Sequence, residues 1–151
     1  MTLIKSISGF RGTIGGDPGN ALTPLDAVKF AAAYGTWIMQ KSQKGSCSIV
    51  IGRDARPSGD MIQQLVTNTL IGLGINVMDC GLSTTPTVEV MVPMQNADGG
   101  IILTASHNPK NWNALKLLNG KGEFVNAEDG AEILALADND TYTFAEVDDL
   151  G

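Results

Sequence analysis

The sequence has no stretch that would place the chain in a membrane or on nucleic acid. Its apolar runs are far shorter than the roughly 20 residues that a transmembrane helix needs. Residues 1–5 do not resemble the start of a signal peptide. Lys and Arg form no run or stripe, which argues against a nucleic-acid partner. We therefore expect a cytoplasmic protein without membrane or nucleic-acid partners.

Histidine and cysteine are too scarce for a metal cluster or a disulfide framework. The single histidine is His107, and the two cysteines, Cys47 and Cys80, lie in apolar runs typical of strands. We expect free, buried thiols rather than a disulfide. A Walker loop and the G-x-G-x-x-G turn of dinucleotide-binding proteins are also absent. The 151 residues, 43% of them apolar, suffice for one globular domain.

Positive and negative charges are distributed unevenly along the chain. The net charge is -6, yet all ten basic residues lie at or before Lys121. Residues 1–122 carry those ten basic residues against seven acidic ones, a net charge of +3, and the other nine acids follow. The body of the protein therefore suits a small anionic ligand better than its acidic pI suggests.

Short apolar runs alternate with segments of helical spacing. A first strand is predicted to run into a Gly-rich loop between residues 3 and 16, and further strands are predicted at 47–52, 75–80, 99–104 and 114–119. Thr23 precedes Pro24 and stands three residues before Asp26, which predicts an N-cap and capping box for a helix reaching about residue 43 and closed by Gly45. Later helices are predicted to begin with Ser58 as a cap, at Pro86 and at Asn126.

This alternation predicts right-handed βαβ units and a sheet covered on both faces. The connection at residues 106–113 is too short for a helix, so the strands that it joins should be antiparallel. We predict an α/β fold, a three-layer α/β/α sandwich with a mixed, mostly parallel sheet. Residues 1–138 form the predicted domain, and residues 139–151 are interpreted as an acidic, truncated interdomain connection.

Polar residues cluster where the predicted strands end, which is where sites form in open α/β sheets. Three loops, at residues 8–13, 52–58 and 104–109, should meet at one edge. Together with the strand that follows the third loop, they carry five basic residues that suit a phosphate-binding cleft: Arg11, Arg53, Arg56, Lys110 and Lys116. Each has a plainer interpretation. Arg11 could be a surface arginine, residues 53–56 a local ion-pair network, and Lys116 an ordinary strand-edge lysine.

Ser106 is the candidate reactive group, because it lies where an apolar strand ends, beside His107. A Ser–His pairing would indicate a hydrolase. Neighbours in extended chain point in opposite directions, however, and the Gly-x-Ser-x-Gly elbow of hydrolases is missing. A phosphate-binding or interaction domain without catalysis is a further alternative.

Residues 104–109, TASHNP, resemble the phosphoserine signature of the α-D-phosphohexomutases, the family of phosphoglucomutase, phosphomannomutase and phosphoglucosamine mutase. Residues 8–12, SGFRG, resemble the family's N-terminal arginine loop, and residues 52–56, GRDAR, its second loop. Residues 113–116, NALK, are similar to the segment with a catalytic lysine, although Ala114 stands where glycine is common. The resemblance covers nearly the whole chain in order.

The resemblance implies an intramolecular phosphotransferase. Ser106 would shuttle a phosphoryl group between the 1- and 6-positions of a hexose or hexosamine phosphate through a hexose 1,6-bisphosphate. Lys116 would act as general acid and base, and Arg11 would stabilise charge near it. The implied helpers are His107 at the phosphate and Arg53, Arg56, Asn108 and Asn113 as substrate or phosphate ligands. Mg²⁺ would bind through phosphorylated Ser106.

Two of the family's patterns are missing from the sequence. The magnesium loop Asp-Gly-Asp-x-Asp does not occur, and its nearest fragment, residues 98–100, lacks the further acids. The sugar-reading Gly-Glu-x-Ser-Gly loop is absent as well, so the preferred sugar phosphate stays open. We therefore expect the family's first domain alone. The remaining domains of the same full-length chain would be its partners, and the isolated domain would be inactive in full turnover.

Overall fold

A computed structural model describes all residues, 1–151, and contains six strands, four α-helices and one short 3-10 helix. In chain order these are β1 Ile4–Ser6, β2 Gly9–Thr13, α1 Pro24–Lys41, β3 Ser48–Arg53, α2 Gly59–Gly72, β4 Asn76–Leu82, α3 Thr85–Met94, β5 Gly99–Leu103, β6 Trp112–Leu118, α4 Ala127–Asp138 and the 3-10 turn Val147–Asp149. None of the helices has both the length and the apolar character to cross a membrane.

The strands form one mixed sheet in the order β1-β2-β6-β5-β3-β4. Strands β2, β3, β4 and β5 run in one direction, while β1 and β6 run in the other. The predicted antiparallel pairing across the short connection between β5 and β6 is confirmed. The prediction for residues 3–16 is wrong in part, because residues 9–13 form strand β2 of a hairpin instead of a loop. Gly9 accounts for the tight turn, with a φ of 154°.

Two unequal apolar cores lie on the two faces of the sheet. The larger has 25 buried residues, with α1, α2 and α4 packed over the sheet. The smaller has six residues and joins the sheet to α3, which packs on β3 and β5. Phe10 and Leu115 point into the larger core, so Arg11 and Lys116, their neighbours in the strands, point to the other face. On that face α3 covers β3 and β5, so the part formed by β2 and β6 is open for a site.

The first helix begins as the sequence predicts. Thr23 caps it and Pro24 stands in its first turn, while the Asp26 carboxylate accepts the backbone N–H of Thr23 at 3.1 Å, which completes the capping box. The helix ends at Lys41 with Ser42 as its cap, earlier than predicted.

The predicted side-chain cap of α2 is not formed. Ser58 stands at the cap position, but its backbone is helical, with φ -82° and ψ -6°, and its side chain makes no capping bond. Its hydroxyl accepts a hydrogen bond from Asn113 at 2.9 Å.

Residues 139–151 return along the end of α2. The backbone N–H of Ala145 donates to the Gly72 carbonyl at 2.8 Å, and that of Gly151 donates to the Ile71 carbonyl at 3.0 Å. A domain boundary at residue 138 stays a prediction.

Both cysteines are free, as predicted, with Cys47 buried and Cys80 half-buried.

Candidate active site

Two loops meet at the carboxyl ends of β3 and β5. The serine loop, residues 104–111, connects β5 to β6, and a second loop, residues 54–58, connects β3 to α2. Strands β3 and β5 are parallel neighbours, so both loops emerge at the same edge of the sheet. The sequence predicts this juxtaposition correctly.

Ser106 has an uncommon backbone conformation. Its φ is 56°, in the left-handed region that costs a residue with a side chain about 1–3 kcal/mol. The backbone N–H of Ser106 donates to the Thr104 hydroxyl at 3.0 Å. The Ser106 side chain is exposed. Strain of this kind at a strand end is frequent where a side chain is held for chemistry.

Lys116 is the direct partner of Ser106. Its ammonium Nζ donates a hydrogen bond to the Ser106 Oγ at 2.6 Å. Strand β6 supplies the lysine and fixes its position, since Lys116 lies opposite Gly9 of β2 and Ile102 of β5. A hydroxyl and an ammonium at this distance can exchange a proton without rearrangement.

His107 does not pair with Ser106. The imidazole is exposed, and the Ser106 hydroxyl has Lys116 as its partner. The serine–histidine contact that a hydrolase would require is therefore not formed. His107 and the half-buried Asn108 follow Ser106 directly on the serine loop.

Arg56 lines a cavity of about 380 Å³ with Asn108 and Lys110, but its guanidinium is bound to the serine loop. Its guanidinium donates to four backbone carbonyls of this region and to the Asp54 carboxylate. The acceptors are Pro109 at 2.7 Å and Trp112 at 3.0 Å from Nη1, Ser106 and Asn108 at 2.8 Å each from Nη2, and Asp54 at 3.1 Å from Nε. All five N–H donors of the guanidinium are occupied. The prediction that Arg56 binds phosphate conflicts with these contacts.

Asp54 and Thr104 complete this network. The Thr104 hydroxyl donates to the Asp54 carboxylate at 2.6 Å and accepts the Ser106 N–H, so the carboxylate is linked through Thr104 to the serine backbone. The ion-pair network that was the plainer interpretation of residues 53–56 is confirmed for Asp54 and Arg56. The role of Thr104 was not predicted, and its position at the end of a strand parallel to β3 is the signal of this contact in the sequence.

Two other predicted phosphate ligands also have internal partners. Arg53 donates to the Gln63 side chain at 2.5 Å and to the Asp54 carbonyl at 3.2 Å, which turns its guanidinium toward α2. Asn113 is completely buried and donates to Ser58. The expectation that five basic side chains face one cleft conflicts with the contacts of Arg56, whose donors are all occupied, while two hydrogen bonds hold Arg53 toward α2.

Arg11 and Lys116 line a cavity of about 300 Å³ between β2 and β6. The hydroxyl-bearing residues Ser6 and Ser8 lie in the same wall. Arg11 is exposed and forms no ion pair, so its charge is available. A larger cavity of about 750 Å³ lies by α1 and α2, but it contains no basic residue. The cavity lined by Arg11 and Lys116 suits an anionic or hydroxyl-rich ligand.

The described residues do not form a complete magnesium site. No group of three or more His, Cys, Asp or Glu side chains is placed to hold a metal ion. The carboxylate of Asp54 is linked to Ser106 by hydrogen bonds through Thr104, but it is already bound to Arg56 and Thr104. Ser106 alone could offer an oxygen ligand at this position, through a phosphate.

The chain is similar to known proteins over nearly its whole length. The model of the family described as phosphoglucomutase/phosphomannomutase, alpha/beta/alpha domain I, matches residues 3–144. A phosphoglucomutase/phosphomannomutase of Thermococcus kodakarensis is 33% identical over 142 residues, 93% of this chain and 31% of the relative. A phosphoglucosamine mutase of Limosilactobacillus reuteri is 34% identical over 130 residues, 86% of this chain and 29% of the relative.

A solved structure has the same fold. The crystal structure of a protein assigned as a phosphomannomutase from Thermus thermophilus is 29% identical, with a TM-score of 0.79 over 91% of this chain and 30% of the other. This chain thus spans about three-tenths of the length of the curated relatives that it matches.

Proposed function

The chain belongs to the phosphoglucomutase/phosphomannomutase family, as its α/β/α domain I, and on that basis we propose that Ser106 carries the phosphoryl group in a phosphohexomutase reaction. The substrate is a hexose or hexosamine phosphate, and the intermediate is its 1,6-bisphosphate. The observation that carries the proposal is the 2.6 Å contact between Lys116 Nζ and Ser106 Oγ, at a serine held in the left-handed conformation.

The transfer step needs one proton carrier, and Lys116 has the position for it. A sugar hydroxyl oxygen bonds to the phosphorus of phosphorylated Ser106 while the bond from phosphorus to Oγ breaks. The Lys116 ammonium gives a proton to the departing Oγ, and the lysine takes up the proton that the sugar hydroxyl loses. The charge of the lysine is restored, and the step is reversible, as a shuttle between two positions of one sugar requires.

Arg11 and the serine loop supply the electrostatic part of the proposal. Phosphoryl transfer depends on positioning and on cations near the phosphate oxygens. Arg11 shares its cavity with Lys116 and has no competing acid, so it can stabilise charge on the substrate. His107 and Asn108 stay proposed helpers at the phosphate, because they follow Ser106 directly on the serine loop. Arg53, Arg56 and Asn113 are not proposed as ligands.

A magnesium ion would receive one ligand from this chain, the phosphate on Ser106. When bound, Mg²⁺ neutralises charge on a transferring phosphoryl group. The chain offers no further acidic ligands at that position. We propose that the remaining metal ligands and the sugar-binding contacts come from other domains of a full-length enzyme, and that these 151 residues alone do not sustain turnover.

The test is phosphorylation of the purified chain by glucose 1,6-bisphosphate with Mg²⁺, followed by intact mass. We expect a gain of one phosphoryl group, lost in Ser106→Ala and retained in Ser42→Ala. Ser42 is a suitable control because its hydroxyl binds Asp98 at the opposite edge of the sheet. A gain that survives Ser106→Ala contradicts the proposal, whereas no gain does not distinguish it from a phosphate-binding domain, because the other metal ligands and the sugar contacts are proposed to lie on other domains. Labelling of Ser106 by a fluorophosphonate would favour a hydrolase instead.

A further inference from the structure

We infer that Arg56 is a positioning residue, which acts through the Asp54 carboxylate, the Thr104 hydroxyl and the serine-loop carbonyls to aim the Ser106 hydroxyl at Lys116. Its effect on phosphoryl transfer rests on the proposed function. Its effect on the Ser106–Lys116 contact does not, and the two can be measured separately.

The contacts of Arg56 are concentrated on the residues that determine where Ser106 lies. Two of its N–H groups reach the carbonyls of Ser106 and Asn108, on either side of His107. Two others reach Pro109 and Trp112, where the serine loop enters β6. One side chain from another loop therefore fixes both the reactive residue and the start of the strand that carries Lys116.

The serine loop has few internal bonds that could do this instead. Within the loop and its junction with β6, Asn108 N–H donates to Ala105 at 3.1 Å and Trp112 N–H donates to Pro109 at 3.0 Å. Neither of these two backbone bonds involves Ser106, whose N–H is bound within the loop only by the Thr104 side chain. Because φ of Ser106 lies in the left-handed region, the conformation must be imposed by its surroundings. The bonds from Arg56 to the Ser106 carbonyl and from the Ser106 N–H to Thr104 hold both sides of the residue.

The charge of Arg56 is also in a different environment from the charges of Lys116 and Arg11, the two cations proposed to act on the ligand. Its side chain is only 11% exposed and pairs with Asp54, so most of its charge is neutralised. A phosphate on Ser106 is left to Lys116 and Arg11, which have no acidic partner. Lysine cannot replace Arg56, since an ammonium has three donors and cannot span four carbonyls and a carboxylate.

The first measurement reports on geometry and needs no reaction. In the ¹H–¹³C NMR spectrum of the 151-residue chain, Ser106→Ala identifies the Lys116 Cε–Hε signal that has lost its hydroxyl partner. We expect Arg56→Lys and Thr104→Val to move this signal toward the Ser106→Ala position, although neither side chain contacts Lys116. Thr104→Ser keeps the hydroxyl and should retain the wild-type signal. Lys44→Ala should retain it too, because Lys44 binds the Asn96 carbonyl and Asp98 at the opposite edge of the sheet.

The second measurement is the phosphorylation of Ser106 at increasing glucose 1,6-bisphosphate concentration. We expect Arg56→Lys and Thr104→Val to lower the rate at saturation by roughly 10- to 100-fold, with the half-saturating concentration little changed, since misalignment affects the transfer step. Thr104→Ser should restore the rate.

The outcomes separate the two claims. If the wild-type chain takes no phosphoryl group, the lysine signal alone decides the inference. A wild-type lysine signal in folded Arg56→Lys overturns the inference. If Arg56→Lys does not fold, Thr104→Val carries the same test, and a wild-type lysine signal in that variant overturns it as well.

Discussion

Ser106 and Lys116 meet because two neighbouring strands place them together. The serine follows the end of β5, and the lysine lies in β6. In the pairing of these two strands, Lys116 is opposite Ile102 of β5. The chain turns back between Ser106 and Lys116, which are ten residues apart in sequence. The Lys116 Nζ therefore comes within 2.6 Å of the Ser106 Oγ. Proximity of this kind reduces the reorganisation that proton transfer requires.

Replacing Lys116 by methionine should slow Ser106 phosphorylation about 100-fold, because the proton carrier is lost while the side-chain length is kept. The initial rate with glucose 1,6-bisphosphate measures this. Lys121→Met is the matched control, since Lys121 lies in the exposed turn after β6 and should react like the wild type. Equal rates in Lys116→Met and the wild type would remove the proposed role of the lysine.

Individual residues show where sequence reasoning reaches its limit. The motif at residues 104–109 and the lysine ten residues after the serine predict one site that contains both Ser106 and Lys116, but not the direct contact between their side chains. The same reasoning assigns Arg53, Arg56 and Asn113 to phosphate, whereas their donors are bound to Gln63, to loop carbonyls and to Ser58. An arginine in a loop has the same local sequence whether it faces a ligand or a neighbouring loop, and only the tertiary packing decides.

At the level of elements, the most informative error concerns the N-terminal hairpin. The glycines around Arg11 suggest a loop, yet residues 9–13 pair with β6 over their whole length. At Gly9 the missing side chain allows the backbones of β2 and β6 to approach closely, and the glycine does not indicate a flexible loop. A Cβ on Gly9 would collide with the Leu115 carbonyl oxygen of β6. The central strands and the helix at Pro24 were predictable because burial on both faces and a capping box leave strong local signals.

Gly9→Ala should lower the free energy of unfolding by about 1–3 kcal/mol, since backbone atoms of β2 and β6 must move apart. Urea denaturation measures the change. Gly45→Ala provides the comparison, because a Cβ there meets nothing within 4 Å and the stability should be unchanged. Equal stabilities of the two variants would show that the hairpin is not packed as closely as described.

A charged group also joins α1 to α4. Glu132 accepts from Lys41 Nζ and from Trp37 Nε1, each at 2.8 Å. The hydrogen bond from Lys41, followed by that from Trp37, lowers the pKa of the Glu132 carboxyl, and the same pairing raises the pKa of Lys41. The contribution of Glu132 to stability is therefore present above the ordinary pKa of a glutamate and lost as the pH falls through its lowered value.

Glu132→Gln should accordingly reduce the urea midpoint at pH 7, and this effect should diminish as the pH falls through the lowered pKa of Glu132. Urea midpoints of both proteins at several pH values between 3 and 7 provide the measurement. A difference between variant and wild type that is constant with pH would mean that the Glu132 charge does not stabilise the packing of α4 on α1.

For the molecule as a whole, the outer surface of α3 is unusually apolar. Pro86, Val90 and Met94 recur every fourth residue on one side of this helix and are exposed, Val90 by 55% and Met94 by 68%. Helix α3 covers only the smaller core, so its other side faces outward. Exposed apolar stripes of this kind favour association with another apolar surface.

The chain should therefore self-associate weakly at high concentration, and Met94→Glu should reduce this association. Sedimentation velocity over a wide concentration range is the measurement. Leu25→Glu, which changes an exposed leucine on the other side of the sheet, should leave the association unchanged. Monomeric sedimentation of the wild-type chain at every concentration would contradict the prediction.

The fold, the two loops and the family assignment all lead to one serine, so the most direct measurement is to locate the phosphoryl group. The chain is treated with glucose 1,6-bisphosphate and Mg²⁺, and its peptides are sequenced by tandem mass spectrometry. The account predicts a single phosphorylated position, Ser106, absent in Ser106→Ala and strongly reduced in Lys116→Met. Phosphate on another hydroxyl, or equal phosphorylation in Lys116→Met, would contradict it.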